Sequence, residues 1–218
     1  MGVTAQGDTI YCTPSGQDTT VRQNGSLAWS GNNPINVGFY DSSLGMFVGV
    51  FVFELPDLAG LDLTGADLTM TVSDSSWGAS LSADLYGVRW NSSDTVLASD
   101  YSGGTLLQEA YAIKVSGNPA PANTREVSTD ATGDANLLDW LLSLYTDGAQ
   151  AGNYAFLRVS NNVEITSGSN TFLEFQGAET ATPPQLTIET VVPEPATMAL
   201  LGLGVVGLVV RKQRVRKA

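Results

Sequence analysis

Along most of this chain apolar and polar side chains alternate at the two-residue period of half-buried strands. In residues 67–73, Leu68, Met70 and Val72 share one face, and Asp67, Thr69, Thr71 and Ser73 share the other. The alternation recurs at 154–159, 171–176 and 185–191, and shorter runs at 35–40, 83–88, 110–115 and 124–128 predict further strands. Residues 46–55, MFVGVFVFEL, are apolar on both faces, the mark of a central strand covered from two sides. Gly, Ser, Thr, Asn and Asp fill the gaps between runs. About nine or ten short strands predict an all-β domain, a two-sheet jelly-roll-like sandwich.

One stretch changes period. In residues 134–147, Leu137, Leu138, Leu141, Leu142 and Tyr145 fall at helical spacing, and Trp140 and Leu144 broaden the stripe. Asp134 is the expected N-cap and Asp147–Gly148 the expected stop. The spacing predicts one short helix packed across an end of the sandwich, with Trp140 facing the core. Nothing basic lies on it, so a membrane-surface role is poorly supported.

The end of the chain departs from both patterns. Residues 196–210 carry no charge, and Arg211, Lys212, Arg214, Arg216 and Lys217 follow at once. As a helix this run reaches roughly 22 Å at about 1.5 Å per residue, against a bilayer core of roughly 30 Å. It spans if the bilayer thins locally and Arg211 and Lys212 snorkel to the headgroups. A core helix is the poorer reading, because Gly202, Gly204 and Gly207 weaken it and it has no polar face. The basic cluster acts as a membrane stop on the cytoplasmic side and places the rest of the chain outside. Pro193 and Pro195 cannot continue a helix, so the segment around Glu194 is expected as a stiff, extended tether.

Pro193–Glu194–Pro195, a Gly-containing apolar run and an Arg-rich end together resemble the PEP-CTERM sorting signal. That resemblance implies an exported bacterial protein, held briefly in the inner membrane and handled by an exosortase in a polysaccharide-rich envelope. The chain then divides into a remnant of a signal peptide (1–7), a β-sandwich domain (8–190) and a sorting signal (191–218). Within the signal, the motif is 193–195, the transmembrane helix 196–210 and the basic end 211–217. Val3 and Ala5 fit the small-residue pattern before a cleavage site, which predicts an apolar leader upstream of Met1.

Charge sharpens this division. The tail holds five of the ten basic residues and one of the twenty-two acidic ones, leaving the exported part near −16. Such a surface repels nucleic acid and anionic membranes, and it is compatible with divalent cations, neutral glycans or simple solubility. The single cysteine, Cys12, rules out an intramolecular disulfide. Tyr11 stands where a lipidation site wants a small residue, so Cys12 reads as an ordinary strand cysteine.

The order of elements in the exported part resembles the DNRLRE family of carbohydrate-binding-like β-sandwich domains. Asp8–Thr9–Ile10–Tyr11 and Asn36–Val37–Gly38 match its opening, and VFVFELP at 50–56 with LTGADLTM at 63–70 matches its central hairpin. A helix at 132–144, then Asn153–Tyr154–Ala155–Phe156–Leu157 and Pro183–Pro184–Gln185–Leu186, follow its closing order. The resemblance implies a surface module of polysaccharide-active proteins.

Candidate chemistry is sparse. The chain has no histidine, which removes His-activated nucleophiles and His-based metal sites. Paired carboxylates could still hydrolyse a glycan, but most acids fall in turns, where Asp bonds its own backbone. An enzyme is therefore the last of three readings, behind a structural surface or matrix protein and an exopolysaccharide-binding module. No cofactor is expected beyond structural calcium, for which the loop acids Asp8, Asp18, Asp41, Asp130 and Asp134 are the candidates. Trp29, Tyr40, Trp77 and Trp90 flank polar loops and could stack on a sugar; the alternative is that each caps the core.

Overall fold

A computed structural model describes residues 7–30, 34–41, 43–73, 80–114, 124–162 and 171–192. Among these residues there are twelve strands: β1 Gly7–Pro14, β2 Thr19–Arg22, β3 Leu27–Ser30, β4 Ile35–Phe39, β5 Met46–Glu54 and β6 Asp62–Ser73 come first. They are followed by β7 Leu81–Asn91, β8 Thr105–Lys114, β9 Arg125–Ser128, β10 Tyr154–Asn161, β11 Thr171–Phe175 and β12 Gln185–Val191. One helix, α1 Ala131–Thr146, and one 3-10 turn, Ala98–Tyr101, complete the described elements.

The expected strands are all present, and the structure adds β1, β2 and β3, which alternation did not reveal. β2 and β3 have four residues each, too few to display a period. The two-sheet expectation needs correction. The strands form one antiparallel sheet in the order β1-β12-β6-β11-β4-β5-β10-β7-β8, with β2 on β5, β3 on β2 and β9 on β6. The end of β1 returns to β5 through Thr13 opposite Glu54 and Pro14 opposite Phe53, so the sheet nearly closes on itself. β5 and β6 belong to different stretches of this sheet and do not pair, so the expected central hairpin is absent.

The doubly apolar β5 explains the layering. Phe51 and Phe53 enter the main core with Leu68 and Met70 of β6, Leu157 of β10 and Ile188 of β12. Val48, Val50 and Val52 point the other way, into a second cluster with Val21, Val96 and Phe156. Burial of both faces stabilises this strand by about 1.5–3 kcal/mol for each large side chain. Tyr111 of β8 is buried, and its hydroxyl donates to the carbonyls of Leu68 (3.2 Å) and Val127 (3.3 Å), tying β8 to β6 and β9. Burial pushes this phenol well above its ordinary range.

The helix lies where expected but starts earlier. Asp130, not Asp134, is the N-cap: its Oδ1 accepts from the amides of Thr132 (3.0 Å) and Gly133 (2.9 Å). Asp134 sits in the first turn, where a carboxylate faces the positive end of the helix. Gly148 ends it at φ +101°, a value that favours glycine. The buried stripe is Leu137, Trp140, Leu141 and Leu144, while Leu142 points outward. Trp140 lies flat on Gly87 of β7, where a Cβ would overlap the indole. Asn136 Nδ2 donates to the Leu107 carbonyl (2.8 Å), so α1 also covers the free edge of β8.

No helix among the described residues is long and apolar enough to cross a membrane. The expected span 196–210, the motif 193–195 and the basic stop Arg211, Lys212, Arg214, Arg216 and Lys217 lie outside those residues.

Candidate functional site

Of the five acids expected as calcium ligands, Asp18, Asp41 and Asp130 accept hydrogen bonds from backbone amides. Asp18 is 1% exposed; its two oxygens accept from the amides of Val52 (2.8 Å) and Ala178 (3.1 Å), joining β5 to the loop before β12. Burial outweighs those amides and pushes its pKa up to about 7. Asp41 turns its own loop, accepting from the Ser43 hydroxyl and from the amides of Ser43 and Leu44. The Ser43 hydroxyl, then these amides, hold its carboxyl below the usual range. Asp130 caps α1, and Asp8 lies in β1 opposite Thr190. Among the described residues no three Asp, Glu or Cys side chains gather into a group able to hold a metal ion.

The aromatic candidates are dispersed. Tyr40 is half-buried and stacked on Phe172, with ring centroids 5.7 Å apart. Trp90 packs against the main core. Trp29 lies in β3, and Trp77 lies outside the described residues. Tyr40 and Trp90 are thus both half-buried, each packed against apolar neighbours.

The structure does assemble a cleft that sequence reasoning missed. A cavity of 280 Å³ opens between β6, β12 and the first turn of α1, lined by Thr64, Asp67, Asp134, Leu138, Thr187 and Glu189. Asp67 accepts from the hydroxyls of Thr69 (3.3 Å) and Thr129 (3.4 Å). Burial, and then the charge of Asp134, raise its pKa. Asp134 Oδ1 is buried without a hydrogen-bond partner. These carboxylates come from distant segments, and only Asp134 carried a sequence signal, through its helix. The site can accept hydrogen bonds from hydroxyl groups and disfavours anions.

A second polar group lies on the outer face of β7 and β10. Arg89 clasps the buried Asp100 through Nε (2.7 Å) and Nη2 (2.8 Å) and lies 3.8 Å from the centroid of the Phe156 ring. Arg158, 5% exposed, stacks on Tyr86 at 4.5 Å, and its Nε and Nη1 have no hydrogen-bond partner. Burial lowers its pKa.

The remaining feature is the exit of the tail. β12, the last strand among the described residues, lies between β1 and β6, with Val191 opposite both Gly7 and Asp62. Val192 is 56% exposed, and Pro193 is the next residue in the chain. Residues 191–215 match the model of the PEP-CTERM protein-sorting motif. No curated protein matches the chain. The motif implies an exported protein sorted by an exosortase and anchored transiently in the membrane before release. It begins on the last residue of β12, so the body and the sorting signal meet without a spacer.

Proposed function

We propose that this chain is a non-catalytic cell-surface or extracellular-matrix protein, delivered by an exosortase that recognises Pro193–Glu194–Pro195. The observation that carries this reading is the sorting motif at residues 191–215, set directly behind a completed β domain. The body supports a passive role: the chain lacks histidine, and Asp18, Asp41 and Asp130 serve the backbone. To test it, residues 191–218 are fused behind an unrelated exported reporter. The reporter should be shortened and leave the inner membrane only in cells that contain the exosortase; processing that ignores the enzyme refutes the reading.

A second reading, binding of exopolysaccharide, is favoured by the cleft, whose carboxylates and threonines match neutral sugar hydroxyls. Glycan-array binding that Asp134→Ala abolishes supports it, and an array without signal removes it. Neither reading needs a resident cofactor. Millimolar calcium should leave the melting temperature unchanged, whereas a rise would reveal a bound ion, since a ligand selective for the native state stabilises it.

A further inference from the structure

The register of β12 bears on how the sorting enzyme reaches its motif, an inference that rests on the sorting reading above. An enzyme that takes a peptide in extended form binds several residues of main chain on each side of its recognition point. Here the folded body leaves Val192 alone between the ladder and Pro193. Val191 is held on both sides, by Gly7 of β1 and by Asp62 of β6.

On its β6 side the same strand carries an irregularity, while its pairing with β1 runs unbroken from Leu186 to Val191. Its pairing with β6 runs in register from Gln185 to Glu189, opposite Thr69 to Gly65. The register then shifts, Thr64 is skipped, and Thr190 and Val191 resume opposite Leu63 and Asp62. A bulge interrupts the ladder locally and ends a stretch of regular pairing. The large core side chains of β12, Leu186 and Ile188, both lie before the shift. Unpairing Thr190 and Val191 therefore leaves those two anchors in place. The opposing part of β1, Gly7 to Thr9, pairs with β12, and β1 meets β5 only later, at Thr13 and Pro14.

We infer that the exosortase acts on a frayed end of β12: Thr190, Val191 and Val192 peel from between β1 and β6 to supply the main chain upstream of the motif. The bulge sets how far the peeling goes. Processing is then limited by opening of the folded body, and the mature domain re-forms its ladder after release of the tail.

The test is a pulse-chase of the full chain in cells that contain the exosortase. An eight-residue Gly/Ser spacer between Val192 and Pro193 should shorten the precursor half-time at least threefold. A Gly7→Cys, Val191→Cys pair, disulfide-linked, should slow the unspaced precursor severalfold, be relieved by reductant, and leave the spaced precursor unaffected. Spacer and cross-link both without effect overturn the inference. Alanine replacement of residues 193–195 is the control in each background: if it still blocks processing, the sorting reading stands even when the fraying inference falls. Unblocked processing defeats the sorting reading itself.

Discussion

Asp18 makes the stability of the body depend on pH in the direction opposite to most paired carboxylates. Its folded pKa is about 7 against an ordinary value of 3.8, because burial outweighs the Val52 and Ala178 amides. A raised carboxyl binds its proton more tightly in the folded state. Its contribution is therefore fully present below about pH 4 and is lost as the pH rises through 7. A shift of about three units corresponds to about 4 kcal/mol at about 1.36 kcal/mol per unit. Other acids titrate too, so the quantity to measure is the difference between wild type and Asp18→Asn in denaturant unfolding from pH 4 to pH 8. Asparagine cannot ionise but sets an NH2 against one of the two amide donors, a cost that does not vary with pH. The wild type should lose about 4 kcal/mol relative to the variant over that range. A flat difference, or one that grows in favour of wild type, refutes the argument.

Three further outcomes follow from the packing. Gly87→Ala pushes a methyl group into the Trp140 indole and should cost about 1–3 kcal/mol, read as a lower melting temperature with altered Trp fluorescence. Asp130→Ala should cost about 1 kcal/mol through loss of the cap, and Asp134→Ala less; the reverse order in thermal melts would return the cap to Asp134. Arg158→Met should be neutral or stabilising, because methionine removes two buried, unpaired N–H groups; a loss above about 1 kcal/mol would show that the guanidinium is held by groups outside the described residues.

What the sequence could reveal tracks how local each signal is. β5, β6 and β12 were readable because their side-chain pattern reports directly on the faces they bury, down to the two-sided burial of β5. β2 was hidden because Thr19 and Thr20 are buried polar residues that pattern reading assigns to a turn. The helix was found, but its cap was displaced by one turn: Ala131, Thr132 and Gly133 have little helical signature until Asp130 accepts from the amides of Thr132 and Gly133. Sheet closure and the β5–β6 separation depend on pairings between remote segments, which alternation does not encode. The cleft was invisible for the same reason, since Asp67, Asp134 and Glu189 meet only through the fold. The sorting motif needed no fold at all, because its three parts are contiguous.

The central claim is that Pro193–Glu194–Pro195 directs this exported chain to an exosortase. The most direct measurement is fractionation of cells expressing the full chain with all three residues replaced by alanine, followed by its apparent mass. The account predicts a full-length form retained in the inner membrane, beside a shortened, released wild type. Release and shortening unchanged by the replacement would contradict it.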